Sequence, residues 1–572
     1  MMQMMQMMQM ITVFNRRLLK MMKTKQRSEE THLDNANCLL DTIRILWLRQ
    51  EGKIIDEKPP FFHSRLKEID GLLSKGVFEI TTNPKTTERL FKSRFVDEIK
   101  GKASNTPFEK SRLVIQAYND EGKINILTQS PTIQRASQRI IVCIAASTDL
   151  SLHLRDVSQA YVQSTTKLSR EIFAKPPKEI QDNLPTNSVL KIKKPLYGIP
   201  EAGTHWFRNY HKHHIENLHM TQSTFDPCLL HTNKKGLFGV VGIQTDDTLF
   251  IGNEEFIRLE QDEIIKSQIV TKPVDKLMSN KNLTFNGGII NLGENSIILS
   301  PKNQGEKIKI VDMNKLNFRN EFIAQRARGA YIATLCQPEA SFDLSFAAQT
   351  CQDPSDEDVK YLNKRLKWQI ENKHRGLNYI KVNLNSAKLF IFVDASFANN
   401  RDYSSQIGFI IALANDKNGE INDCTFSISG NLIHWSSIKC KRVTRSVLAS
   451  ELYVTVHGFD SGMVIKTTLD NILKQLNLPQ VPLILCTDSR SLYECLTKLG
   501  TINEKRLMID VMALRQSYEQ REITEIRWID GRDNPADSMT KGTPCVALKN
   551  FIDTNTLKIR VDGWVEREEI LV

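Results

Sequence analysis

The 572-residue chain has no Cys-x-x-Cys pair and no cysteine–histidine grouping at zinc-site spacing. Its ten cysteines are scattered, so a disulfide framework is not expected and they read as reduced residues of an intracellular protein. No apolar run is long enough to span a bilayer, which leaves a membrane off the list of expected partners. No acid precedes Glu29 in the low-complexity opening MMQMMQMMQMITVFNRRLLKMMKTKQR. Residues 1–58 are read as a disordered leader, an untidy start of an open reading frame rather than a mitochondrial presequence. What is present is a globular composition, 40% hydrophobic and 25% charged, over a length that suits about three or four domains. The net charge of +11 and pI of about 9.0 suit a polyanionic partner such as nucleic acid.

Between Pro59 and Thr106 the pattern suggests short amphipathic helical patches and turns. Ile133 to Ser147 has helical spacing, with Ile133, Ala136, Ile140, Cys143 and Ile144 on one face. Leu152 to Val157 alternates as a strand. Charged helices are expected from Glu255 to Lys276, then a hairpin around Gly287, Gly288 and Gly293, a helix from Arg328, and a capped helix start at Pro354 to Asp358. Beyond Leu389 three strands (Leu389–Val393, Ile407–Leu413, Cys424–Ser429) precede a long helix over Arg445–Leu473. A strand over Val481–Leu485, helices over Ser491–Leu499 and Glu504–Glu519, a last strand over Glu525–Ile529 and a short helix near Asn534 follow. That order predicts a mixed α/β sheet.

In VVGIQTDDTLFIGN, Val240 to Asn253, two aspartates sit between apolar strands. Asp246-Asp247 is acceptable turn chemistry, so a plain hairpin is one reading. Two partly buried carboxylates repel, so a bound cation is the other. Asp156, near the end of its own strand in LRDVSQAYVQ, favours the cation: three carboxylates on two strand edges can hold two divalent ions about 4 Å apart. Oxygen-only ligation suits Mg²⁺, with Mn²⁺ as a substitute.

With these residues the chain resembles the reverse transcriptase–ribonuclease H region of a copia-type long-terminal-repeat retrotransposon polyprotein. FEKSRLVIQAYND (Phe108 to Asp120), LRDVSQAYVQ (Leu154 to Gln163), KKPLYGIPEAGTHWF (Lys193 to Phe207), FDPCLL (Phe225 to Leu230) and QTDD (Gln244 to Asp247) carry the resemblance, which spans Pro59 to Lys541. The family usually has Tyr-Val-Asp-Asp at the last motif; the variant here loses an aromatic contact to the primer terminus but no metal ligand. The resemblance makes Asp156, Asp246 and Asp247 catalytic metal ligands. It makes Tyr161 the ring that excludes a sugar 2′-hydroxyl, and Lys110 and Arg112 the cations over the incoming triphosphate. Core packing for Tyr161 and a solvated strand face for Lys110 and Arg112 are the plain alternatives. Gly198, Pro200 and Gly203 read as punctuation that lets a template or nucleotide approach. Glu201 stands where the family often has Gln and is assigned no role. His211, His213, His214 and His219, in a stretch of surface-helix composition, do not complete a zinc site.

In the last part Asp394 ends the strand LFIFVDASFA and Asp488 follows LILCTD. Asp537 lies in NPADSMTK. Glu451 borders a helical stripe of Leu448, Leu452, Val456 and Phe459. The resemblance brings these four acids together as the metal ligands of a ribonuclease H; its mobile histidine is missing between Trp528 and Lys541. Lys439, Lys441, Arg442 and Arg445 are either a phosphate-tracking cluster or a solvated charge run.

The expected fold is α+β: a right-hand polymerase, with fingers and palm over 59–272 and thumb and connection over 273–388, then a ribonuclease H-like α/β domain over 389–545 and a tail over 546–572. The expected function is RNA-directed DNA polymerase with ribonuclease H, two Mg²⁺ per site. RNA template, DNA primer, RNA–DNA hybrid and deoxynucleoside triphosphates are the partners. An inactive relic that only binds nucleic acid is the rival. Protease, nucleocapsid and integrase motifs are missing, so the chain is expected to be the C-terminal portion of a polyprotein or an element fragment. Its expected place is intracellular, in cytoplasmic virus-like particles with nuclear access.

Overall fold

The computed structural model describes residues 58–566 other than 83–89, 102–105, 182–183, 420–423 and 499–503, together with Asp41, Ile45, Leu48, Arg49, Glu51 and Ile54. Most of the basic leader, and the last residues of the expected tail, lie outside the described residues. The chain divides into two compact units, Met1–Ser130 with Tyr161–Asn209, and Pro131–Ala160 with Tyr210–Val572.

The first unit is built on a five-stranded sheet in the order Phe78–Thr82, Ser188–Ile192, Ile172–Ala174, Leu90–Lys100, Phe108–Gln116. Phe91, Phe95, Leu113, Ile115, Leu190 and Ile192 fill its core. The helical patches expected between Pro59 and Thr106 reduce to one helix, Phe62–Ser74, while Leu90–Lys100 is a strand. An acid at an inward position disguised the period of two: Asp97 is buried beneath Arg65 (2.6 Å) and accepts from Ser111 Oγ (2.7 Å). A buried carboxylate persists only when so paired.

The second unit begins with a six-stranded sheet in the order Asp275–Lys276, His153–Asp156, Asp247–Gly252, Gly239–Gln244, Leu229–Thr232, Met220–Gln222, antiparallel throughout. Helix Arg135–Ser147 lies on it. The helix is buried on nearly every side rather than along one stripe, polar Ser137, Gln138 and Arg139 included. One side presses Ile133 and Ile141 so close to Gly242 that no side chain fits there. The other carries Arg139, which donates to the carbonyls of Leu335 (3.0 Å) and Ile433 (3.2 Å).

Helix Glu254–Lys266, capped by the Asn253 side chain, stops ten residues short of Lys276. Pro273 disfavours helix in the residue before it, and the chain runs on as the short strand Asp275–Lys276. A meander (Leu283–Phe285, Gly288–Leu292, Ser296–Pro301, Leu377–Ile380) follows. Helix Phe318–Leu335 starts well before the expected Arg328 and ends ahead of Pro338, after which Ser341–Ala347 forms a separate helix. Ser355 and Asp358 make a reciprocal capping box on helix Asp356–Glu371.

The last sheet is closed. Lys388–Ser396, Gln406–Asn418 and Thr425–Lys439 are antiparallel neighbours, and Leu483–Thr487 and then Glu525–Ile529 add in parallel beside Lys388–Ser396. This mixed order is ribonuclease H-like, and with the largely antiparallel sheets before it the chain is α+β. Glu525–Ile529 is not the last strand. The stretch read as a tail forms helix Ala547–Thr554 and strand Thr556–Glu566, which pairs with both Thr425–Lys439 and Glu525–Ile529. Asp562 and Gly563 fall at a register shift opposite Trp528 and Ile529.

Candidate active sites

The aspartate turn joins strands Gly239–Gln244 and Asp247–Gly252, with Gln244 and Asp247 as the closing pair. Thr245 takes a left-handed φ of 56°. A two-residue hairpin loop needs such angles, and a β-branched residue adopts them at a cost in strain. Asp247 stands directly opposite Asp156 on the next strand. The Asp246 carbonyl accepts from Val157 N–H at 2.8 Å, which ties the turn to that strand. Beside Asp156, the buried Arg155 is held by Glu260 and fixes the strand from behind. Asp246 is exposed, whereas Asp156 and Asp247 are half-buried. Burial, then the charges of Asp246 and Asp156, push the Asp247 carboxyl up to about 7, with Lys272 opposing. Lys272 Nζ lies 2.5 Å from Asp156 Oδ2. No local pattern points to Lys272, whose backbone N–H also donates to the Asp156 carbonyl at 2.9 Å.

In the first unit, Lys110 and Arg112 project from the face opposite Ser111, Leu113 and Ile115. Arg112 pairs with Glu98 (3.1 Å) and lies over the Tyr197 ring. Tyr161 packs against Tyr197, ring centres 5.2 Å apart, at the margin of the core. Gly198 is set against the chain's own backbone. Its φ is +84° and an added Cβ would lie 1.9 Å from the Ile115 carbonyl oxygen, so the close approach there is to the chain's own strand. Glu201 is buried and receives both Nε and an amino nitrogen of Arg170 at 2.9 Å, with Asp120 on the same guanidinium. It is part of the scaffold.

Helix Ala202–Glu216 is not a surface helix at its histidines. His213 and His214 are buried, and burial pushes His214 down to about 3 while its Nδ1 contacts the Tyr210 carbonyl at 2.8 Å. Among the described residues no grouping of potential metal ligands includes these histidines.

In the closed sheet, Asp394, Glu451 and Asp488 each offer an oxygen within 4.8 Å of the others. The buried face of helix Val447–Gln475 includes Glu451, Leu452, Thr455, Gly458, Phe459 and Gly462, so Glu451 lies within the stripe, not on its border; Leu448 and Val456 are only half-buried. Gly462 lets the helix press onto Ile391, where a Cβ would be 2.2 Å from a methyl group. Burial raises all three carboxyls, Asp488 to about 6; the charge of Asp394 adds to the rise at Glu451 and Asp488, and that of Asp537 to the rise at Asp394. Among the described residues, Glu451 Oε2 is buried with no hydrogen-bond partner. Asp537 is close to this trio but engaged elsewhere. Its Oδ2 accepts from Cys545 N–H (2.7 Å) and its Oδ1 from Lys541, whose ammonium also lies 3.7 Å from Asp394 Oδ1. Sequence reasoning missed Lys541, although it sits four residues from Asp537. Of the basic cluster, Lys439 is paired with Asp402 and Arg442 with Asp510, while Lys441 and Arg445 are exposed.

Two buried acids and a half-buried one, with an orphaned carboxylate oxygen, are a donor set for a hard divalent cation. The half-buried Asp156–Asp247 pair fits the same kind of ion.

Residues 75–282 match the family described as reverse transcriptase (RNA-dependent DNA polymerase). The chain is 24% identical over 466 residues to the retrovirus-related Pol polyprotein from transposon RE1 of Arabidopsis thaliana, covering 77% of this chain and 30% of that protein. It is 21% identical over 560 residues to the transposon Ty1-GR2 Gag-Pol polyprotein of Saccharomyces cerevisiae, covering 90% of this chain and 29% of that one. The chain thus spans under a third of these relatives' length. A foamy viral protease-reverse transcriptase solved in complex with dsDNA aligns with a TM-score of 0.45 at 13% identity, over 81% of each chain. The chain resembles the polyprotein of a copia-type retrotransposon, with its reverse transcriptase region at 75–282.

Proposed function

We propose that the chain is an RNA-directed DNA polymerase joined to a ribonuclease H, copying retrotransposon RNA into DNA and removing RNA from the hybrid. The observation that carries this reading is the pairing of Asp156 with Asp247 across two strands, inside the stretch that matches the reverse transcriptase family. Fingers and palm would occupy 59–272, thumb and connection 273–388, and the nuclease the closed sheet beyond.

Asp156, Asp246 and Asp247 would hold Mg²⁺ at one site and Asp394, Glu451, Asp488 and Asp537 at the other. Bound divalent ions there would activate a primer 3′-hydroxyl or a water and neutralise the leaving oxygen. The carboxylates supply fixed negative charge on strand edges. Lys110 and Arg112 would steady the triphosphate of an incoming deoxynucleotide, where charge develops during transfer. Tyr161, braced by Tyr197, would leave no room for a 2′-hydroxyl. In the nuclease, the acids would lie along the RNA strand of a hybrid, whose 2′-hydroxyls distinguish it from DNA.

The test is extension of a labelled DNA primer on an RNA template with Mg²⁺, following both strands. The parent should extend the primer and shorten the RNA. Asp246→Asn should not extend it, while binding the hybrid nearly as well. A parent protein that leaves both strands unchanged would overturn the reading.

A further inference from the structure

We infer that Lys541 is a built-in cation of the closed-sheet site, standing between Asp394 and Asp537. Without nucleic acid the site then takes one divalent ion, on Asp394, Glu451 and Asp488. This rests on the nuclease reading above and specifies how that site is charged.

Four acids converge, but unequally. Asp394, Glu451 and Asp488 place oxygens within 4.8 Å of one another, and Asp537 is not in that group. Both Asp537 oxygens are already engaged, Oδ1 by Lys541 and Oδ2 by the backbone N–H of Cys545. The Lys541 ammonium also faces Asp394 Oδ1 at 3.7 Å, and Thr540 Oγ1 donates to Asp394 Oδ2. Glu451 Oε2, by contrast, is buried with no hydrogen-bond partner among the described residues. The site is therefore asymmetric: Lys541 is in direct contact with Asp537, whereas its charge reaches Glu451 only from a distance.

Lys541 is held there by its place in the chain. It follows Asp537 by four residues, just after the turn Pro535–Met539, which brings the two side chains together. Its side chain is 44% exposed, which leaves it a path out to solvent. A dication alone must displace an ammonium that two carboxylates share. A phosphate on the open side would draw Lys541 outward and free Asp537 for a second ion. Lys541 is thus a positioning residue that makes the second ion depend on nucleic acid.

The test counts Mn²⁺ bound to the full chain, by electron paramagnetic resonance of the free ion, without nucleic acid. Asp156→Asn and Asp246→Asn silence the other site in every protein used. The parent should bind one Mn²⁺, Asp488→Asn none, and Asp537→Asn still one. Lys541→Met should bind two and Lys541→Arg one. Two ions in the parent, one in Lys541→Met, or loss of the ion in Asp537→Asn would each overturn the role of Lys541. If the parent, with its palm unsubstituted, still cleaves RNA in a hybrid, the nuclease reading survives that result. No Mn²⁺ in any variant together with no RNA cleavage would overturn both.

Discussion

Arg139 lies with its guanidinium carbon 3.7 Å from the centre of the Trp435 ring, fully buried. It belongs to the helix over the aspartate sheet, and Trp435 to a strand of the closed sheet. Arg139→Met keeps the apolar stem but leaves the carbonyls of Ile433, Thr334 and Leu335 without their donor. Unsatisfied buried acceptors cost about 1–3 kcal/mol. A loss of about 3 kcal/mol is expected from the urea midpoint, the upper end of that range. A change within about 0.5 kcal/mol would mean that the contact is idle.

His214 sets part of the acid response. Burial holds its folded pKa down at about 3, against 6.5 for an ordinary histidine. The unfolded chain therefore takes up a proton, as pH falls from about 6.5 towards 3, that the folded chain refuses. Stability from this group is full above that window and falls through it. His214→Gln should flatten the decline in urea midpoint between pH 6.5 and 4. An unchanged slope would assign the acid lability to other groups.

Glu451→Gln removes one ligand and one charge from the closed-sheet site, far from Asp156 along the chain. RNA cleavage should fall by orders of magnitude while DNA synthesis on a short template survives, leaving RNA annealed to product. A gel following both strands reads both. Loss of both activities would point to a folding defect, and undiminished cleavage would remove Glu451 from the site.

Tyr161→Ala should raise ribonucleotide relative to deoxynucleotide incorporation, and Tyr161→Phe should not, because the ring and not the hydroxyl fills the space. Single-nucleotide insertion measures the ratio. If both variants match the parent, Tyr161 serves only to pack on Tyr197.

Where a segment is buried on both faces, its sequence showed it plainly. Leu389–Val393 and the run ending at Thr487 are unbroken apolar stretches and form the parallel centre of the closed sheet. The Asp246-Asp247 turn was equally legible, since only a tight loop interrupts its two apolar strands. What stayed hidden was paired at long range. Asp97 broke the alternation of its strand because its neutralising partner, Arg65, lies on a helix 32 residues earlier. Glu201 looked unassigned until Arg170 was seen beside it, and Lys272 reaches Asp156 across 116 residues. No local period encodes such contacts. The helix carrying Glu451 was placed correctly, but its buried face was misjudged because Gly458 and Gly462, weak hydrophobic signals, set the close approach.

Strand Thr556–Glu566 bonds to Thr425–Lys439 on one side and to Glu525–Ile529 on the other. Two rows of backbone donors and acceptors are thereby withheld from any neighbouring molecule. Without that strand both rows would be bare at once, and exposed rows of this kind are templates for chain-to-chain pairing. Damage confined to these eleven residues would therefore show as insolubility before it showed as slower chemistry.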